Sequence, residues 1–139
     1  MYKTRKKVEF YFEVGYFFRL KRNQKLAIIN FLSVIAASDT RTKLKDDVAA
    51  FMDHCFKVLR VTGDEVLEYV AIGGREQTVI DIKKMDRHNF LMLTIVTSEL
   101  CDQNGGMSDA EYLALLCWID DLEMTIDEWY DYNIDENVE

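Results

Sequence analysis

The stretch TGDEVLEY at residues 62–69 is matched by TIDEWYDY at residues 125–132, sixty-three positions further along the chain. The same offset holds upstream without a gap, so that Asp39 falls on Asp102. A register shared over about thirty residues is typical of an internal duplication. The chain is therefore predicted to contain two copies of one structural unit.

A Ser or Thr followed three positions later by Glu recurs where helices are expected to begin. In such a capping box the hydroxyl accepts a hydrogen bond from a first-turn N–H group, and the Glu carboxylate accepts one from the N–H of the cap residue. The three pairs are Thr62 with Glu65, Ser108 with Glu111, and Thr125 with Glu128. Two of the pairs occupy equivalent positions of the two copies, which indicates that both copies open a helix there.

Apolar spacing between these start points indicates helices along the chain, which has no proline. Residues 26–36 and 90–96 are apolar nearly all round, as expected of helices in the middle of a bundle. One apolar stripe at helical spacing is formed by Val48, Phe51, Met52, Cys55, Phe56 and Leu59. The pair Gly73-Gly74 is expected to end one helix, and a shorter helix is expected over about residues 76–85.

We therefore expect an all-α fold, a single-domain helical bundle of six to eight helices with two pseudo-symmetric repeats over about residues 26–72 and 88–135. The helical domain would span residues 22–139, and a basic and aromatic segment, residues 1–21, would pack on it. Residues 8–18 fit both a period of two and a broad helical face, and we predict a helix there. Packing on the core is favoured for this helix. Peripheral contact with a membrane surface is the alternative.

Cysteine usage favours a reducing compartment. Cys55, Cys101 and Cys117 are odd in number, lack the C-x-x-C spacing and lie in apolar helical patterns, so we expect three reduced core thiols. The uncharged runs fall short of the ~20 residues that a spanning helix needs, and the basic start is not followed by the apolar run of a secretion signal. We expect a soluble cytoplasmic protein without an integral membrane segment.

Charge is distributed unevenly along the chain. Residues 1–25 hold eight Lys and Arg against two Glu, whereas residues 99–139 hold thirteen Asp and Glu and no Lys or Arg. An acidic half repels nucleic acid and attracts cations or basic proteins. We therefore expect a protein partner and no nucleic acid. The residues expected to contact that partner are Asp120, Asp121, Asp127, Glu128 and Asp131. The aromatic residues beside them, Trp118, Trp129, Tyr130 and Tyr132, fit either contact anchors or core positions.

Two short elements resemble a known family: residues 36–39, Ala-Ala-Ser-Asp, and residues 101–111, CDQNGGMSDAE. They resemble the duplicated Ala-x-x-Asp-Gly and x-Asp-Gly-x-x-x-x-x-Glu elements of TerB-like proteins, and the similarity covers about residues 22–132. Thr40 stands where the first copy would have its turn glycine. The resemblance implies an all-helical cytoplasmic protein associated with tellurite resistance and with bacterial stress or phage-defence gene clusters.

Oxygen-bearing side chains alternate in the loop that connects the first two helices of the second copy. The spacing differs from that of an EF-hand, which needs twelve residues with Gly at the sixth position and Glu at the twelfth. The alternative is a weaker divalent-cation site formed by Asp102, Asn104 and Glu111, with Asp39 from the first copy. Turn and capping preferences explain the same residues without a metal.

Asp39 and Asp102 are both expected to end a central helix. A negative charge is unfavourable there unless the side chain bonds to the following turn or to a cation. In the first copy, Arg41, Lys43 and Lys45 would compete with any metal, and we expect that loop to be solvated.

No arrangement of residues points to catalysis. His54 and His88 fall in no metal-binding or nucleophile motif, and no glycine-rich phosphate loop is present in the sequence. We therefore expect a non-enzymatic interaction module that requires no cofactor. A divalent-cation-binding protein that uses the loop from Asp102 to Glu111 is the alternative.

Overall fold

The computed structural model describes residues 15–41, 45–103 and 105–138. These residues form six helices and no strand, which confirms the predicted all-α class. The helices are α1 (Arg22–Ser38), α2 (Lys45–Leu59), α3 (Gly63–Lys83), α4 (Arg87–Asp102), α5 (Asp109–Asp121) and α6 (Ile126–Val138). Within the described ranges, no helix has both the length and the apolar character needed to cross a membrane.

Helix α1 lies at the centre of the bundle and contacts α2, α3, α4 and α5. Its apolar residues from Leu26 to Leu32 and Ile35 are buried almost completely, as expected of a helix that is apolar nearly all round. Helix α4, the other central helix of the prediction, contacts α1, α2 and α6. The stripe predicted on α2 faces the same core, with Phe51, Cys55 and Leu59 fully or almost fully buried.

Stacked aromatic rings connect the two halves of the chain. The Phe31 ring of α1 lies 5.1 Å from Trp118 of α5 and 5.8 Å from Trp129 of α6, measured between ring centroids. Phe90 of α4 meets the Trp129 ring edge-on at 5.5 Å. Rings in such stacked and edge-on pairs contribute about 0.5–1.5 kcal/mol beyond their area burial. Both tryptophans are therefore core residues and not contact anchors.

Helix α3 is kinked at Gly74, close to the break predicted at Gly73-Gly74. Gly74 has φ +59° and ψ −149°, a conformation that residues with a side chain rarely adopt. The helix continues beyond the kink to Lys83, which agrees with the shorter helix predicted over about 76–85. Only glycine combines this backbone conformation with low strain, so its position sets the bend.

A buried polar network holds the kink. The Thr78 hydroxyl donates to the Gly74 carbonyl at 3.1 Å and accepts from the Asn30 amide of α1 at 2.9 Å. The Tyr69 hydroxyl donates to Asp81 Oδ2 at 2.7 Å. The Thr78 side chain therefore connects the carbonyl at the kink to α1.

The segment before α1 departs from prediction. Residues 15–18 form turns and bends and not the end of a helix over 8–18, and residues 1–14 lie outside the described residues. The Asn89 side chain pairs with both backbone groups of Phe18, at 2.8 Å each, and these side-chain partners replace intrahelical ones. Phe17 is inserted into the core, so this part of the segment packs on the bundle.

All three predicted capping boxes are present. The Glu carboxylate accepts from the cap N–H at 2.8 Å in each pair, Thr62 with Glu65, Ser108 with Glu111, and Thr125 with Glu128. Asp86 caps α4 by accepting from the Asn89 N–H at 2.8 Å. Local side-chain chemistry therefore fixes the starts of four helices.

Candidate functional site

The surface of α5 and α6 is acidic. All five side chains predicted to contact a partner are exposed, namely Asp120, Asp121, Asp127, Glu128 and Asp131. Among the residues that the structure describes, four of the five form no ion pair. Glu128 is one of the four, but its carboxylate accepts from the Thr125 N–H in the cap of α6, which leaves Asp120, Asp127 and Asp131. We call these three residues the acidic face. Their charges are available for interactions with another molecule.

Basic residues of α3 neutralise the neighbouring edge of this surface. Arg75 Nε lies 2.5 Å from Asp121 Oδ2, and Lys83 Nζ lies 2.8 Å from Glu123 Oε1. The guanidinium of Arg75 also lies 3.9 Å above the ring centroid of Trp118, a cation–π contact. Asp121 is therefore engaged within the chain, and the acidic face begins beyond it.

Helix α5 presents apolar side chains to solvent, a feature the sequence prediction missed. Leu113 is 62% exposed and Tyr112 is 38% exposed. Cys117, one turn beyond Leu113, is also exposed. Tyr130 of α6 is 42% exposed; burial raises the pKa of its hydroxyl, and the neighbouring Tyr112 phenol raises it further. We call Tyr112, Leu113, Cys117 and Tyr130 the outer stripe.

The sequence carries a sign of the outer stripe. Helix α5 reads DAEYLALLCWIDD, which is apolar on nearly all sides between its acidic ends. A helix of that kind is expected to be buried all round. Its inner side is indeed buried through Glu111, Leu115, Trp118 and Ile119. The opposite side is apolar as well but is only partly covered. Helix α5 therefore carries more apolar side chains than the core buries.

One of the three predicted core thiols is at the surface. Cys55 and Cys101 are buried, and burial raises the pKa of the Cys101 thiol to about 12, with a smaller effect from the Glu111 charge. Cys117 is exposed because α5 turns it toward solvent with Leu113. Because α5 is apolar on both sides, the apolar pattern around Cys117 does not show which side faces the core.

Arg41 connects the loops that follow α1 and α4. Its Nε donates to Asp39 Oδ1 at 3.0 Å, and its Nη2 donates to the Gly106 carbonyl at 2.8 Å and to Glu111 Oε1 at 3.1 Å. Glu111 is only 1% exposed. Thr40 and Arg41 of the first-copy loop are exposed, as expected of a solvated loop, and the guanidinium also pairs with a buried carboxylate seventy positions away.

Asp39 is ionised more readily than a free aspartate. Burial opposes its ionisation, but hydrogen bonds from the Arg41 side chain and backbone N–H, with one from the Ser108 side chain, lower its pKa below the ordinary 3.8. The carboxylate at the end of α1 therefore has both partners named in the prediction, a bond to the following turn and a cation.

The four residues of the predicted divalent-cation site are distributed as follows. Asp39 and Glu111 converge on Arg41, Asp102 is exposed at the end of α4, and Asn104 lies outside the described residues. Within the ranges that the structure describes, no three His, Cys, Asp or Glu side chains are grouped to hold a metal ion. A metal at Asp39 and Glu111 would have to compete with a guanidinium that both carboxylates already contact.

A separate cavity of about 310 Å³ lies between the start of α1 and the first half of α3. Arg22 and Glu65, which line it, form an ion pair at 2.6 Å. Tyr69 and Gln77 also line it, and both donate to the buried Asp81. These polar groups are therefore already bonded within the chain.

Comparison with protein-family models, curated proteins and solved structures finds no match for the chain. The resemblance to TerB-like proteins consequently rests on the residues quoted above. The function has to be inferred from the acidic face, the outer stripe and the connection through Arg41.

Proposed function

We propose that this chain is a non-enzymatic interaction module of TerB-like type that binds a basic protein partner through its acidic C-terminal half. The observation that carries the proposal is the acidic face, three exposed carboxylates without an ion pair among the described residues. They lie within residues 88–139, which contain no Lys or Arg. Clustered like charges repel one another unless a partner of opposite sign binds them.

A duplicated architecture is the part of the TerB-like resemblance that geometry supports best. Helices of the first half begin at positions 22, 45 and 63, and those of the second half at 87, 109 and 126. Arg60 and Glu123, sixty-three positions apart, have nearly the same left-handed conformation, with φ 58° and 61°. Two non-glycine residues in that rare conformation at equivalent positions favour two copies of one unit.

The proposal assigns no catalytic role to the chain. Burial raises the pKa of both Cys55 and Cys101, which disfavours the reactive thiolate. His88 Nε2 lies 2.8 Å from the Tyr16 carbonyl, so a side chain that could move protons is engaged in anchoring the first segment. An acidic surface also repels nucleic acid and anionic substrates. A role in a cytoplasmic stress or tellurite-resistance response is proposed on the resemblance alone.

Binding of a lysine-rich peptide tests the proposal. We expect a fluorescently labelled peptide of alternating Lys and Ser to bind the full chain at 50 mM NaCl and to bind several-fold more weakly at 300 mM, because salt screens exposed charges. The equivalent Glu and Ser peptide serves as the control. Equal affinity for both peptides, or no binding by the lysine peptide, would contradict the proposal.

A further inference from the structure

On the exposed side of α5, the apolar residues of the outer stripe are flanked by carboxylates. On α5 the positions Asp109, Tyr112, Leu113, Cys117 and Asp120 follow the spacing of one helix side, and all of them are exposed. From Asp109 to Asp120 this side extends about 16 Å, at 1.5 Å per residue. The α5 side of the stripe thus has an apolar centre with an acidic residue at each end.

Helix α6 adds a second acidic border. Asp127, Tyr130 and Asp131 stand at spacings of three and four, so they share one side of α6. Helices α5 and α6 contact each other, and Tyr130 is near enough to Tyr112 to interact with it electrostatically, so this side of α6 lies next to the outer stripe. Together the two helices form an apolar strip of two to three helical turns. Carboxylates lie at its ends and along one border.

We propose that the outer stripe is the docking site for a basic amphipathic helix of the partner protein. An amphipathic helix places apolar residues at i, i+3, i+4 and i+7 on one side, a length and spacing that match the side of α5. Lys or Arg residues beside that apolar ridge would face Asp109, Asp120, Asp127 and Asp131. This inference rests on the proposed function and adds which surface binds and what the partner must look like.

Charge disfavours a second copy of this chain bound through the same patch. In a two-fold symmetric contact the same patch meets itself. The four carboxylates that border the stripe would then face their own counterparts, and like charges juxtaposed across an interface are strongly unfavourable. A partner of opposite charge satisfies both the apolar centre and the acidic border.

Two synthetic peptides of identical composition separate docking from simple charge attraction. One is an 18-residue helix of Leu and Lys with all Leu on one side, and the other has the same residues permuted so that Leu is spread around the helix. We expect the first peptide to bind the full chain at least tenfold more tightly in fluorescence anisotropy. Equal binding of both would overturn the docking site and leave the proposed function standing. Binding of neither would refute both.

Matched variants locate the contact. We expect Leu113→Ser and Tyr130→Ser each to weaken binding of the amphipathic peptide about tenfold, as is usual for central apolar contacts of an interface. Leu67→Ser is the control, since Leu67 is a similarly exposed leucine, 69% against 62%, on α3 in the first half of the chain. Unchanged melting temperatures verify that the variants are folded. An equal loss in Leu67→Ser, or no loss in the two stripe variants, would overturn the site.

The native thiol of Cys117 gives a readout in the unaltered chain. We expect the amphipathic peptide to slow maleimide labelling of Cys117 at least fivefold, while the permuted peptide has little effect.

Evidence for either of two other occupants would overturn the assignment. A dimer in sedimentation analysis that Leu113→Ser dissociates would identify a second copy. Without peptide, faster labelling of Cys117 in the triple variant Lys3→Gln/Lys6→Gln/Lys7→Gln than in wild type would identify the first residues of the chain itself as the occupant.

Discussion

Replacement of Gly74 by alanine tests the kink in α3 through the sign of its effect. A Cβ atom added at Gly74 would meet no atom within 4 Å, so the substitution causes no clash. Its effect therefore comes from the conformational energy of the backbone. Alanine at φ +59° and ψ −149° costs about 1–3 kcal/mol of strain, and its lower entropy in the unfolded chain returns about 0.4–1 kcal/mol. We expect the free energy of unfolding to fall by about 1–2 kcal/mol.

Urea unfolding followed by circular dichroism measures this change, with Gly63→Ala as the matched control. Gly63 is also helical and also has open space around an added Cβ, but its φ is not positive. We expect the control to be neutral or stabilised by up to about 1 kcal/mol. If α3 were an unbroken helix, Gly74→Ala would stabilise the protein by about 1 kcal/mol as well. Stabilisation by Gly74→Ala would therefore refute the kink.

Three further changes test the connection around Arg41. Glu111→Ala should lower the free energy of unfolding by about 2–4 kcal/mol, because it removes the buried carboxylate that accepts from the Ser108 N–H in the capping box of α5 and pairs with Arg41. Glu128→Ala, which removes the equivalent acceptor from an exposed capping box, should cost about 1 kcal/mol, and equal losses would contradict the pairing. The folded-state pKa of Asp39 lies below its ordinary 3.8, so its stabilising effect is fully present well above pH 4 and is lost as the pH falls through the lowered pKa. The melting temperature of wild type should thus fall more steeply below pH 4 than that of Asp39→Asn, and parallel curves would contradict this role. Millimolar calcium, magnesium, manganese or zinc should shift the melting temperature by less than about 1 °C, since the Arg41 guanidinium already occupies the space between Asp39 and Glu111 and pairs with both. A shift of several degrees that Asp102→Ala/Glu111→Ala abolishes would instead establish the divalent-cation site.

Features determined by local chemistry could be predicted from the sequence. The capping boxes depend on residues three positions apart, and all three are formed. The break at Gly73-Gly74 follows from a glycine conformation, and the burial of α1 follows from its apolar composition. These are preferences of short segments, so the order and approximate bounds of the helices could be read before any tertiary contact was known.

Features that depend on tertiary contacts could not be predicted. The pairing of Arg41 is one of them, because its partners Gly106 and Glu111 are sixty-five and seventy positions away. The first segment satisfied two periodicities, and only its pairing with Asn89 showed that residues 15–18 are irregular. Apolar spacing on both sides of α5 could not show which side faces the core, so Cys117 was assigned to the wrong one.

The acidic face is the part of the candidate site that the sequence did predict. Net charge by region can be counted without a structure, and exposure of carboxylates is the usual outcome. Only tertiary structure separates Asp121, which pairs with Arg75, and Glu128, which caps α6, from the three carboxylates of the acidic face. It also places an apolar strip beside those charges.

The central claim is that the second half of the chain, and not acidity in general, binds a basic partner. Asp127→Asn/Asp131→Asn removes two charges from α6, and Asp64→Asn/Glu68→Gln removes two from the equivalent positions of α3. The two variants have the same net charge, so non-specific attraction to the lysine peptide at 50 mM NaCl should be the same for both. We expect only the α6 variant to lose affinity, by about three- to tenfold. Equal losses in the two variants would contradict the claim.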